Sequence, residues 1–305
     1  MNDRAALLGV GLMLLVALFN AVDAVIVRLL ASGVHPFVIG FARALFGLLV
    51  VLPWIAARPG MLRSNFRLLH ALRAALKLFS LVAFFAAFAT APLADVTAIA
   101  FAAPIFVTIG AWVFLGESPR ALRVLAVLMG FVGVLLVVRP GQQEGIAPGL
   151  MFALLGAALA AIILLLLKPM ATKDRTETLV AWNLILTVPI AALPAIWFWT
   201  PPTPEQWGLL ALQGALGALN MALVTRAFSL AEASLLAPFD FLRLPIVAAL
   251  GFTLFGEIVP FMTWLGGAAI FGASLLMART AHRRPNLDRE DRNRERPETA
   301  PSNER

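Results

Sequence analysis

The sequence of 305 residues contains no cysteine and no tyrosine, only three histidines, and 13% charged residues. Without cysteine there is no disulfide scaffold, thiolate metal site or cysteine nucleophile. Water-soluble domains carry about 25% charge, so a soluble globular fold is excluded as well. The scarce charge is uneven: residues 280–305 hold seven of the 24 basic residues and six of the 17 acidic ones. HExxH, GxSxG and GxxxxGK[ST] patterns are missing too, so no enzyme chemistry, metal or cofactor is expected. With no nucleotide-binding loop, energy would come from an ion gradient or from the substrate's own gradient. His35, His70 and His282 are expected in loops or the tail, which argues against a histidine proton relay through a bilayer.

What is in excess is apolar material: 61% hydrophobic residues and a mean hydropathy of +0.89. A bilayer core about 30 Å thick needs about 20 apolar residues per helix. Apolar runs between Pro, Gly and charge clusters predict ten spans, at 5–30, 36–57, 71–90, 95–115, 120–138, 147–168, 179–199, 205–227, 233–255 and 259–279. The chain therefore reads as an all-α polytopic membrane protein whose first partner is the lipid bilayer. Residues 280–305, dense in mixed charge, are expected to be disordered. The pI of about 11.2 reflects basic loops rather than nucleic-acid binding. Fifteen basic residues fall on the side of the amino terminus, and only Arg28 and Arg139 on the other. That bias predicts a bacterial inner-membrane protein with both termini cytoplasmic.

Shifting the chain against itself by 140 residues brings its halves into register. Gly116-Glu117 meets Gly256-Glu257, and Phe131, Leu135, Leu136 and Arg139 meet Phe271, Leu275, Leu276 and Arg279. Arg28 meets Lys168, Ser80 meets Asn220, and Arg43 meets Asn183. Five spans per repeat is an odd number, so the second repeat enters the membrane inverted. Transporters are built in this way, with substrate near the midplane where the repeats meet.

Each half carries a proline in its fourth span (Pro104; Pro245, one position out of register). That span ends in Leu115-Gly116-Glu117 or Phe255-Gly256-Glu257, and a glycine-bearing fifth span follows. This pattern resembles the EamA repeat of the drug/metabolite transporter superfamily over residues 5–279. The resemblance implies ten transmembrane helices as two inverted repeats, 5–140 and 145–279, with the tail 280–305 outside both. It further implies a secondary carrier of a small metabolite, with spans 1–4 and 6–9 around a central cavity. Export of an amino acid or a related zwitterionic or amphipathic compound is the leading expectation. Asp23 with Lys168-Pro169 also resembles S-adenosylmethionine uptake carriers, so uptake of a nucleoside-like metabolite is the alternative. A lipid flippase or membrane enzyme is a third reading. Oligomeric state and coupling ion are left open, with proton coupling one option.

Intramembrane charge costs about 2.5–3.5 kcal/mol per residue, so each instance needs a reason. Asn20 and Asp23 share one face of the first span, with Arg43 at similar depth on the second: a structural pair or a gating site. Lys77, one turn from Ser80 on the third span, either snorkels to the interface or meets a substrate anion. Asp240 and Arg243 lie i,i+3 between Pro238 and Pro245, a charged pair in a proline-interrupted helix and the leading site candidate. Asn220 places a small polar group at the depth of Ser80. The expected cavity runs between spans 1, 3, 4, 6, 8 and 9, walled by Phe84, Phe85, Phe101 and Phe239. Gly116 and Gly256 are expected as left-handed helix caps, with Glu117 and Glu257 bonding loop amides or the opposite repeat.

Overall fold

Proline sets many of the helix boundaries. The computed structural model describes residues 3–64, 66–114, 121–139, 147–170, 173–174, 176–230, 236 and 239–282. Its first helices are α1 (Asp3–Leu30), α2 (Pro36–Ala56), α3 (Arg67–Thr90), α4 (Leu93–Ala100), α5 (Ala103–Phe114) and α6 (Ala121–Val138). The rest are α7 (Pro148–Met170), α8 (Thr176–Trp197), α9 (Pro204–Leu230), α10 (Arg243–Phe255) and α11 (Phe261–His282). Pro36, Pro148 and Pro204 each take the first position of a helix, where the missing N–H costs nothing. Thr203 and Gln206 form a capping box ahead of α9: Thr203 N donates to Gln206 Oε1 at 2.9 Å, and Gln206 N to Thr203 Oγ1 at 3.3 Å. Eight apolar stretches among the described residues are long enough to cross a bilayer, α4 and α5 counting as one, and α10 and α11 add two shorter ones.

The fourth span was expected as one helix from 95 to 115, and the ninth as a proline-interrupted one from 233 to 255. The fourth breaks at Phe101–Ala102 and the ninth turns at Phe241–Leu242, positions 140 apart. At the turn, Ala102 N donates to Ile99 O at 2.9 Å, and Leu242 N to Phe239 O at 3.2 Å, again 140 apart. Pro104 and Pro245 sit in the first turn of α5 and α10, where they have no N–H to continue the ladder. Irregular backbone at membrane depth survives only where protein or water surrounds it; here the rings of Phe101 and Phe241 stack on each other at 4.3 Å.

Helix pairing repeats under the same offset. α1 packs on α9 as α7 packs on α3, and the pairs α2–α8 and α6–α11 each join corresponding helices. That is the contact pattern of two inverted five-helix repeats about an axis in the membrane plane. At the α6–α11 crossing a Cβ on Gly133 would lie 2.7 Å from Gly266 O, so two small residues allow close backbone approach. Gly256 has φ +67, and the N–H groups of Gly256 and Glu257 return to Phe252 O and Gly251 O, a Schellman end for α10. Gly116, Glu117 and Pro238 lie outside the described residues, as does 283–305.

The buried side chains are not spread evenly along the bundle. The main cluster draws on Ala24–Val34 of α1 and its turn, Val38–Ala42 of α2, Phe85–Ala91 of α3, Leu93–Ile99 of α4 and Val134–Val138 of α6. All of these lie toward the end where α1 gives way to α2, the far end. The opposite, basic end is where α1 begins and α11 finishes.

Candidate functional site

A cavity of about 760 Å3 occupies the half of the bundle that the core leaves unfilled. Its walls come from α2 (Arg43 to Trp54), α3 (Lys77, Leu81), α8 (Glu177 to Thr187) and α9 (Gly214 to Ser229). It runs from mid-bundle, at Arg43, Lys77 and Asn183, to the basic end, where Glu177 and Arg226 are exposed. Of the expected spans 1, 3, 4, 6, 8 and 9, the third and eighth line it, and the second and seventh take the place of the other four. They are mainly aliphatic, with Trp54 the aromatic side chain among them. None of the four phenylalanines expected as walls lines this cavity. Phe85 and Phe101 are buried in the core, Phe84 packs against Gly156, and Phe239 joins a small cluster with Met13 and Val16. Phenylalanine is as content in the core or facing lipid as in a cavity, so its abundance carried no positional information.

At the deep end two pairs face each other across the pseudo-twofold axis. Lys77 Nζ donates to Asn183 Oδ1 at 2.8 Å. Under the 140-residue offset Lys77 corresponds to Gly217 and Asn183 to Arg43, and those two residues also meet. A Cβ on Gly217 would lie 3.2 Å from Arg43 Nη2. Both long cations therefore come from the first repeat, and both smaller partners from the second. Arg43 is also ion-paired with Asp23 and lies over the Phe85 ring at 6.0 Å. Arg243 completes a charge cluster: Asp240 and Asp23 act on it favourably, Arg43 unfavourably. No hydrogen bond joins Asp240 to Arg243 among the described residues, and Arg243 Nε is buried without an acceptor among them.

Three other candidates, Ser80, Asn20 and Asn220, hold helices together instead of facing the cavity. Ser80 Oγ donates to Gly156 O at 2.8 Å, tying α3 to α7. Asn220 Nδ2 donates to Asn20 Oδ1 at 2.9 Å, tying α9 to α1. Of the polar candidates, Lys77 alone lines the cavity.

The far end carries two networks that the sequence reading missed in part. Glu257 Oε1 lies 3.3 Å from Arg28 Nη2, and its Oε2 accepts from Leu93 N at 2.8 Å. Arg28 Nη1 also donates to Phe88 O at 2.8 Å. Asp95, 3% exposed, lies 3.1 Å from Arg139 and accepts from Thr263 Oγ1. Both networks cross from one repeat to the other. Asp95 was overlooked among the acidic residues, although a carboxylate inside an apolar run was the available signal.

At the basic end, His70 sits in the first turns of α3 rather than in a loop, because that helix starts at Arg67, ahead of the apolar run. It is 1% exposed. Its Nε2 is 2.9 Å from Asp174 Oδ2 and 3.0 Å from Ser64 Oγ, and its ring stacks on Trp182. Both oxygens converge on one ring nitrogen, which makes this a brace between two loops.

A family model described as "EamA-like transporter family" matches residues 7–139 and again 147–279. The S-adenosylmethionine uptake transporter of Rickettsia bellii is 28% identical over 280 residues, 91% of this chain and 96% of that one. The riboflavin transporter of Brucella anthropi is 32% identical over 258 residues, covering 81% and 89%. The pseudopaline exporter of Pseudomonas aeruginosa is 31% identical over 203 residues, covering 66% and 71%. A solved crystal structure superposes with a TM-score of 0.60 at 20% identity, over 93% of this chain and 99% of that one, which speaks to fold alone.

Proposed function

The chain belongs to the EamA-like transporter family and is a multi-pass membrane transporter of a small metabolite rather than an enzyme; on that premise we propose a secondary carrier for an amphipathic, charged compound. The observation that carries this reading is the cavity of about 760 Å3 between the repeats, within the about 300–1,000 Å3 of small-molecule sites. The basic end faces the cytoplasm in this proposal, supported by the fifteen-to-two distribution of basic residues. The cavity then opens inward and the far end is the sealed outer face.

Net direction in such a carrier follows the gradients it meets. The export expected from the sequence rests on the superfamily resemblance. The S-adenosylmethionine uptake transporters, similar over nine-tenths of this chain, favour a second reading, uptake of a nucleoside-like metabolite. Proton coupling through Asp240 is part of the proposal. Asp23 and Glu257 have arginine partners, whereas Asp240 has no hydrogen bond among the described residues.

The test is counterflow in proteoliposomes with labelled amino acids, S-adenosylmethionine and riboflavin. Saturable exchange of one of these is expected; leakage no faster than in empty liposomes for all would contradict the carrier reading. Asp240→Asn should abolish uphill transport in a pH gradient while exchange survives, and retained uphill transport would remove Asp240 from the coupling.

A further inference from the structure

Among the described residues Lys77 differs from Arg43, the other charge at the deep end of the cavity, in having no counter-charge. Arg43 has Asp23, and Glu177 shares the mouth with Arg226. Among the described residues no carboxylate lies within 4 Å of Lys77, whose contact is the neutral Asn183 amide at 2.8 Å. Arg43 and Arg73 both add positive potential at this ammonium, and Arg73 stands one turn before it on α3.

The neighbouring donors are short of acceptors as well. An ammonium only donates, so Lys77 fixes the amide oxygen of Asn183 toward itself. Asn183 is 3% exposed and lines the cavity, yet its Nδ2 has no acceptor among the described residues. Buried donors left without partners are rare and call for an explanation. Spare ammonium hydrogens, an orphan amide N–H and surplus positive charge share one shortage, an anionic oxygen.

We propose that Lys77 and Asn183 form an anion-binding subsite at the deep end of the cavity, taking a carboxylate or phosphate oxygen of the transported compound. The inference rests on the carrier reading for what delivers that anion, while the subsite itself stands on binding. Leu81, Val180, Leu184 and Met221 line the same cavity, so the substrate is an organic anion or zwitterion with an apolar body. The inverted repeat supplies this subsite only once. At the pseudo-symmetric position Arg43 is neutralised by Asp23 and faces Gly217, which brings no donor side chain.

The test uses the purified full-length chain in detergent and two matched probe pairs: N-acetylphenylalanine with its amide, and phenyl phosphate with phenol. Binding is read by calorimetry. The wild type should prefer one anion over its neutral partner by at least tenfold, or 1.4 kcal/mol, and the pair that shows it separates carboxylate from phosphate. Lys77→Gln should bring that preference within twofold, and Lys77→Arg should keep most of it. Asn183→Asp, which builds the counter-charge into the protein, should abolish anion binding and raise the melting temperature, a result that misfolding would not mimic. Equal binding within both pairs, binding of no probe, or an unchanged preference in Lys77→Gln overturns the subsite. Failure of the carrier reading would show elsewhere, as absent counterflow with the anion preference intact.

Discussion

With the basic end taken as the inner one, as proposed above, the outer and inner halves of the bundle are built from the same two repeats and are packed differently. In the outer half α1, α2, α3 and α4 converge on one buried cluster, and the half-helix α4 is buried along Leu93–Ile99. In the inner half α2, α3, α8 and α9 stand apart around the cavity. Charge follows the same division. The two outer arginines, Arg28 and Arg139, are each bound to a carboxylate, and their networks cross between repeats. Of the described basic residues toward the inner end, Arg58, Arg63, Arg67, Lys173 and Arg226 are exposed, as the membrane's charge rule favours, whereas Arg73 is buried and donates to Leu179 O. Inverted halves have no intrinsic reason to close at one face rather than the other. The difference lies in the contacts: ion-pair networks join the repeats at the far end, and the cavity separates their helices at the basic end.

Breaking the outer networks should have the largest effect. Glu257→Ala removes the Arg28 counter-charge and the acceptor of Leu93 N–H together. A loss of about 2–3 kcal/mol in stability is expected, read by thermal unfolding in detergent. The same variant should let a cysteine in the cavity react from outside. Next in size is Gly217→Leu, which drives a side chain into the Arg43 guanidinium. An overpacking cost of about 1–3 kcal/mol is expected, with counterflow reduced more than tenfold and a milder loss in Gly217→Ala.

Much of the fold was readable in the sequence, and the cavity was not. Span positions follow from apolar run length and the interruption of the ninth span from its prolines, because both signals are local; the break ahead of Pro104 carried the same signal and was not drawn from it. The repeat was visible because Gly256-Glu257 recurs at a fixed offset, and Glu257 does bond the opposite repeat, at Leu93 N. Which face of a helix meets the cavity is another matter. In a membrane both the core face and the lipid face are apolar, so the sequence of α9 has no polar side to mark. Asn20, Ser80 and Asn220 illustrate the limit: their polarity was evident, but helix-to-helix bonding and ligand contact demand the same residue types. Lys77 opposite Gly217 was the overlooked clue, since a long cation aligned with glycine across a pseudo-twofold predicts a filled gap.

Smaller effects sharpen the division between the halves. Ser80→Ala removes one interhelical bond, worth about 0.6 kcal/mol, and should leave counterflow unchanged. The least effect is expected at His35, the cap of α2 at the outer face, whose Nδ1 accepts from Phe37 N. Burial holds its proton affinity below the ordinary value, so the unfolded chain binds more protons than the folded one. Its contribution is full above about pH 6.5 and falls as the pH drops through that value. A shallow acid-side decline in melting temperature should flatten in His35→Asn.

Because the chain lacks cysteine, a single introduced thiol reports on one position. Ala218→Cys places it on the cavity wall, and Thr203→Cys places a control on the exposed loop before α9. Labelling with a membrane-impermeant maleimide, in inside-out and right-side-out vesicles, compares the two faces directly. The account predicts that Ala218→Cys reacts only in inside-out vesicles and Thr203→Cys only in right-side-out ones. Reaction of Ala218→Cys from the same side as Thr203→Cys would contradict a cavity open at the basic end and sealed by Arg28–Glu257 and Arg139–Asp95.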